Sequence, residues 1–226
     1  MRQAYNVGNF GSDGFVFTVD TTQAGSASDT FVVPTASGAT YNCTVYWGDG
    51  SSDAISTYDD AAWTHQYPSG GTYQITIEGQ FGRIYFNNTG DKAKVTSIQQ
   101  LGAVGWESMS LAFYGCANLS SIDSPVFDGS AVTDFLACFY GCSSLTAIPS
   151  GLFDHNTAAT NFQSCFDGVT LTTSSYSALL VSMEANLSQT ATFHGGNSKY
   201  NASGETARNA LINDHSWTFT DGGLET

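Results

Sequence analysis

The side chains with chemical reach are scattered: four histidines (His65, His155, His194, His215), five cysteines (Cys43, Cys116, Cys138, Cys142, Cys165) and twenty carboxylates. No H-E-x-x-H, G-x-S-x-G, Walker or dinucleotide signature joins them into a hydrolytic, metal or nucleotide site. His194 before Gly195 and Gly196 has the outline of an oxyanion loop, and Asp123 with Asp128 that of a glycosidase acid pair. Against the pair, Asp128 recurs one repeat later as Asp154 while Asp123 falls opposite Pro149, which suits a turn or helix cap better than one active site. Asp49, Asp53, Asp59 and Asp60 are carboxylates available to Ca²⁺, but their spacing is not that of a D-x-[DN]-x-[DN]-G loop, and turn capping is the expected role. The cysteines form no C-x-x-C pair, and their odd number leaves at least one unpaired within the chain. Four fall at repeat positions, where a buried thiol packs as a small hydrophobe. No catalytic residue, metal site or cofactor is therefore expected.

The elements that hold these residues are organised by a repeat. C-F-Y-G-C-S-S-L-T-A-I-P-S-G-L-F (138–153) follows A-F-Y-G-C-A-N-L-S-S-I-D-S-P-V-F by twenty-six residues, aligning Phe113, Gly115, Cys116, Leu119, Ile122 and Phe127 with Phe139, Gly141, Cys142, Leu145, Ile148 and Phe153. A fixed period of this size signals stacked supersecondary units. V-T-S-I (95–98), L-S-S-I (119–122) and L-T-A-I (145–148) read as short strands. Between them Met109 with Phe113, Phe135 with Phe139, and Phe162 with Phe166 keep i, i+4 spacing, which predicts brief helical pieces stopped by Gly115, Gly141 and Gly168.

Upstream, alternating β-branched or aromatic residues predict strands at 15–19, 30–34, 41–47 and 72–78, separated by Gly, Pro, Asp and Ser clusters. Trp47 and Tyr73 are expected in the core, and Lys92 and Lys94, following Asp91, in a solvated turn. Downstream, 171–186 predicts an amphipathic helix burying Tyr176, Leu179, Leu180 and Met183. A second helix is expected over 203–215, with Ser203 at its start, and then a strand over 216–223 with Trp217 and Phe219 inward.

Composition sets the surroundings. Six Lys and Arg against twenty Asp and Glu give a net charge of -14, which opposes nucleic acid and anionic membrane. Charged residues are 12% of the chain and apolar residues 41%, so the chain is a globular, turn-rich β protein rather than a disordered one. The start carries no apolar run of signal-peptide length, and no stretch is long enough to cross a bilayer.

Two resemblances sharpen this. W-G-D-G-S-S-D (47–53) with W-T-H-Q-Y-P-S-G-G-T-Y-Q-I-T-I (63–77) resembles the PKD-like, immunoglobulin-type sandwich, though Y-W-G-D-G shortens that family's W-x-F-G-D-G. The resemblance implies a core strand ending in a tight turn at Asp49 and a packing role for His65. The stretch 138–154 resembles the BspA-like leucine-rich-repeat surface proteins, whose repeats read F-x-G-C-S-S-L-T-x-I-P. The segment from H-G-G-N-S-K-Y-N (194–201) to W-T-F-T-D-G-G is similar to the closing segment of phage and prophage-encoded repeat proteins, with His194 in a polar turn.

The expectation is a mainly β chain with short helices: an N-terminal arm (1–13) with Tyr5, Val7 and Phe10 as anchors, a PKD-like β-sandwich (14–82), a short leucine-rich-repeat solenoid (83–170) and an α/β C-terminal cap (171–226). The resemblances imply a non-enzymatic virion-surface protein of a bacteriophage, in capsid decoration or a tail fibre or tip, assembled in the host cytoplasm without a secretion signal. A bacterial BspA-like cell-surface adhesin is the alternative. Expected partners are other virion structural proteins and a host cell-surface glycan or protein, without nucleic acid or membrane insertion; a symmetric homo-oligomer is compatible with this. The expected ligand-binding face flanks the inward Ile98, Ile122 and Ile148: Ser97, Gln99, Ser121, Asp123, Ala147 and Pro149.

Overall fold

A computed structural model describes residues 13–226, so the expected anchors Tyr5, Val7 and Phe10 lie outside the described residues. Alternating sequence produces strands β1 (Phe15–Asp20), β2 (Thr30–Val32), β3 (Tyr41–Tyr46), β4 (Ser52–Ile55), β5 (Thr64–Gln66), β6 (Thr72–Phe81), β7 (Val95–Gln100) and β8 (Ser121–Ile122). The fold is mainly β. The six-stranded sheet has the order β4-β3-β6-β1-β7-β8, and β2 with β5 forms a separate two-stranded sheet. Phe15, Phe17, Val19, Val45, Ile75 and Ile77 are fully buried on one face, and Phe31 of β2 meets Phe17 with ring centroids 6.0 Å apart. Trp47 is buried as expected. Tyr73 is only partly so: it sits near the start of β6, stacks on Tyr67 at 3.8 Å and donates its hydroxyl to Ser69 O at the rim.

Strand β1 is antiparallel to β6 on one side and to β7 on the other, and β7 is parallel to β8. The sheet thus runs on from the N-terminal strands into a ladder of stacked turns. The Phe86 N–H donates to Ala112 O (3.1 Å), Phe113 to Cys138 O (2.8 Å), Phe139 to Cys165 O (2.9 Å) and Phe166 to His194 O (3.1 Å).

The helical pieces expected between the short strands are not helices. Leu111, Ala137 and Ser164 take φ of 59°, 49° and 54°, left-handed values that interrupt any i→i−4 pattern. The i, i+4 spacing has another cause. Each tight turn points both positions of its pair inward, and the rings stack from turn to turn: Phe113 on Phe139 (5.6 Å, 2° between planes), Phe139 on Phe166 (5.4 Å, 15°) and Phe135 on Phe162 (4.9 Å, 7°). Gly115, Gly141 and Gly168 have φ of 82°, 70° and 78°, so they close turns. They also form a column of backbone on backbone: a Cβ on Gly168 would stand 3.3 Å from the Gly141 Cα.

The strand expected at 145–148 is also absent. Helix α1 (Thr173–Asn186) lies there instead, and the Ser175 hydroxyl both accepts from the Ile148 N–H (3.0 Å) and donates to the Ile148 O (3.2 Å), replacing a neighbouring strand. Helix α1 is capped by Thr172 and buries Tyr176, Leu179, Leu180 and Met183, as the spacing predicts. Helix α2 (Ala202–His215) is capped by Asn201 rather than Ser203, the Asn201 Oδ1 accepting from the N–H groups of Ser203 (3.1 Å) and Gly204 (3.2 Å). Strands β9 (Asn161–Phe162), β10 (Thr192–His194) and β11 (Thr218–Thr220) form a parallel sheet in the order β11-β10-β9. His194 therefore ends a strand and adds a rung to the ladder, where a polar turn is expected.

The Asp91–Lys94 region corrects another expectation. Lys94 is fully buried, and its ammonium donates to Ser26 O (3.1 Å), Ser26 Oγ (3.0 Å), Ala27 O (2.9 Å) and Thr30 O (2.7 Å), with Asp91 Oδ1 at 3.8 Å. Asp91 in turn accepts from the N–H groups of Ser26 (2.6 Å) and Val32 (2.8 Å), so its carboxylate satisfies the outer edge of β2. Burial lowers the Lys94 pKa, with Asp91 opposing. Such a cage is unreadable from local charge pattern, because its acceptors lie more than sixty residues upstream.

Candidate interaction surface

The turn after β3 brings together Ser51, His65 and Asp49, the residue types of a hydrolytic triad. Asp49 Oδ1 accepts from the Ser51 hydroxyl (2.6 Å) and N–H (2.9 Å). His65 Nε2 lies 2.9 Å from Asp49 Oδ2 and 3.4 Å from Ser51 Oγ. Both partners meet the same ring nitrogen, whereas a relay needs the carboxylate on one nitrogen and the nucleophile on the other. The imidazole is a packing group: it stacks on Trp47 (4.7 Å, 6°) and meets Tyr67 edge-on (4.5 Å, 88°). Burial opposes ionisation of Asp49, but the hydrogen bonds from Ser51 and His65 outweigh it and hold the carboxyl below its usual value. Asp53 accepts from the Trp47 indole (2.8 Å) and Asp60 from the Ala62 N–H (2.9 Å). Among the described residues no group of three or more His, Cys, Asp or Glu is arranged to hold a metal ion.

The cysteines are all free and buried. Burial alone pushes the Cys43 thiol up to about 11, and it raises Cys116, Cys138, Cys142 and Cys165 well above the ordinary thiol value. These are packing thiols, remote from the thiolate that nucleophilic or redox chemistry needs.

Of the six residues expected on a binding face, Ser97, Gln99 and Ser121 come together on the six-stranded sheet. Ser97 pairs with both Thr18 and Ser121. Thr18 donates to Gln99 Oε1 (3.2 Å), and Gln99 Nε2 donates to Ser97 Oγ (2.8 Å), so Thr18, Gln99 and Ser97 form a short polar network. Asp123 follows β8 with an exposed side chain, its N–H bonded to Ile98 O (2.9 Å). Ala147 and Pro149 fall outside the sheet: Ala147 is exposed on a loop, and Pro149 precedes the 3-10 turn Ser150–Phe153. Ile98, Ile122 and Ile148 point inward as expected, all buried. Two shallow grooves flank the β3–β4 edge, one of 410 Å³ lined by Ala39–Tyr41 and Ser56–Asp59, the other of 390 Å³ including Asn42–Thr44, Ala54–Ser56 and Glu78.

Two further features escape the sequence reading. Ser108, Asp134 and Asn161 occupy one position of successive turns, and each side-chain oxygen accepts from the N–H two residues on, in Ser110 (3.2 Å), Leu136 (2.9 Å) and Gln163 (3.0 Å). Their common spacing was the available signal, masked by the change of residue type. At the far end, Asp221 accepts from Arg208 Nε (2.8 Å) and the Tyr176 hydroxyl (3.0 Å). Gly195 is needed there, since a Cβ would stand 2.3 Å from that hydroxyl. Asp128 caps its turn through the Ser130 N–H (3.1 Å), while Asp154 instead accepts from Ser182 of α1 (2.7 Å).

Comparison with protein-family models, curated proteins and solved structures finds no match to the chain.

Proposed function

We propose that the chain is a non-enzymatic display protein of a bacteriophage virion surface, a capsid decoration or a tail-fibre or tip component, presenting an adhesive face to the host or environment. In this reading residues 14–82 are a PKD-like sandwich, 83–170 a short solenoid of BspA-like leucine-rich repeats and 171–226 its closing cap. The observation that carries it is the unbroken lattice from β4 through β1 and β7 into the stacked turns. A lattice of this kind holds wide outward faces rigid, which display requires. Ser97, Gln99, Ser121 and Asp123 form the candidate adhesive face, with virion structural proteins as partners elsewhere on the surface. The second reading, a bacterial BspA-like surface adhesin, draws on the resemblance of F-Y-G-C-S-S-L-T-A-I-P to that family's repeat.

The test is immunogold labelling and mass spectrometry of particles released on host lysis, using antibodies against the purified chain. The chain is expected on intact particles. Its confinement to the bacterial envelope would overturn the phage reading in favour of the adhesin. Replacing Ser121 and Asp123 with arginine should impair attachment, and unchanged attachment would remove that face.

A further inference from the structure

The stacked turns carry a second outward column, in the position directly after the inward Phe of each turn. Asn87, Tyr114, Tyr140, Asp167 and His194 occupy it in succession. Backbone bonds fix its register: the N–H groups of Asn88, Gly115 and Gly141 donate to the carbonyls of Tyr114 (2.9 Å), Tyr140 (2.8 Å) and Asp167 (2.7 Å). Neighbouring rungs of such a ladder are about 4.8 Å apart, so five rungs make a straight stripe roughly 19 Å long. The two tyrosine rings are adjacent (4.8 Å between centroids, 64° between planes), and Tyr140 is 38% exposed. Neither hydroxyl has a partner among the described residues. Beyond the rings, His194 Nδ1 lies 3.8 Å from Asp167 Oδ2, and both side chains reach solvent. The glycine column of Gly115, Gly141 and Gly168 runs alongside, with Asn88 and Lys92 packed over Gly115.

The chemistry of the stripe selects its occupant. Exposed aromatic faces take apolar C–H surfaces, and free phenol, carboxylate, imidazole and amide groups take hydroxyls. A stripe one residue wide offers far less than the roughly 800 Å² per partner that a stable protein interface buries. A net charge of -14 and Asp167 in the stripe disfavour anionic polymers. What remains is a thin, extended, uncharged ligand that alternates apolar faces with hydroxyls.

We propose that this column binds a linear neutral oligosaccharide, one sugar stacked on the exposed ring of Tyr140, the chain passing against Tyr114 beside it and hydrogen-bonded by Asp167 and His194. The setting, adhesion to a glycan-bearing surface, rests on the display reading; the binding itself does not, because it is measured on the isolated chain.

The experiment is an NMR titration of the full chain with maltohexaose, cellohexaose, mannohexaose and chitohexaose in turn, following the ring resonances of Tyr114 and Tyr140. At least one hexasaccharide is expected to shift both saturably. Tyr114→Ala with Tyr140→Ala should then weaken that affinity roughly tenfold or more, and Asp167→Ala by less. The ring shifts in the unsubstituted chain keep the test valid if the double variant folds poorly. No saturable shift with any of the four at millimolar concentration overturns the proposal, as does binding that survives loss of both tyrosines. Hexalysine shifting the same resonances while the sugars do not would assign the stripe to a basic peptide, and also overturns it. Failure here with the chain present on particles leaves the display reading standing; sugar binding with the chain absent from particles does the reverse.

Discussion

The middle of the ladder and its two ends are held together by different physics. Between Phe113 and Phe166 the interior is rings on rings and buried thiols, with turn-to-turn backbone bonds around it. At the ends the interior contains charge: Lys94 in its carbonyl cage with Asp91 on one side, Arg208 with Asp221 and Tyr176 on the other. A middle turn meets a copy of itself above and below, so identical apolar residues complement one another. An end turn meets something unlike itself, the β2 segment or helix α2, and there directional polar contacts set one arrangement.

Substitutions test that contrast in order of size. Phe139→Ala removes a ring stacked on both sides and should cost about 4–5 kcal/mol in urea unfolding; a loss under about 2 kcal/mol would mean that the stack contributes little. Lys94→Met leaves Asp91 and three carbonyls buried without their cation, and should cost about 3–4 kcal/mol. Arg208→Met should cost about 2 kcal/mol, less than at Lys94 because the Tyr176 hydroxyl still serves Asp221. Gly141→Ala strains one left-handed position in the middle and should cost about 1–2 kcal/mol, read as a lower Tm.

The smallest effect concerns acid. Side-chain hydrogen bonds from Thr22 to Asp20 and from Gln66 to Asp29 lower those carboxyls, as those from Ser51 and His65 lower Asp49. A carboxyl depressed in the folded state contributes stability that is full above its unfolded-state pKa and is lost as pH falls through the lower folded-state value. Acid below the usual aspartate range should therefore weaken the N-terminal sheets. Asp49→Asn should flatten that limb of the stability curve by under about 1 kcal/mol; an unchanged limb would separate Asp49 from it.

How much of this was legible follows the same divide. The repeat from Phe113 to Phe153, strands β1, β2, β3 and β6 and the buried face of α1 announce themselves by period, because like positions recur or alternate within a few residues; the short β4 and β5 do not. The inward direction of Phe113 and Phe139 could be read, but not its means: i, i+4 spacing fits a helix and a tight turn equally, and the left-handed residue deciding between them is Leu in one turn, Ala in the next and Ser in the third. Lys94 was illegible because its partners are remote in sequence, and so was the replacement of a strand at Ile148 by the Ser175 hydroxyl. On the candidate face, alternation was enough to find Ser97, Gln99 and Ser121, where a strand exists, and failed at Ala147 and Pro149, where none does.

Native-state hydrogen exchange tests most directly whether the six-stranded sheet and the stacked turns are one cooperative body. Amides of β1 and β7 and those of Phe113, Phe139 and Gly141 should open with one free energy, and Lys94→Met should lower protection in both regions together. Protection lost in residues 15–81 alone, with the turns unchanged, would contradict a continuous lattice and make the two regions independent.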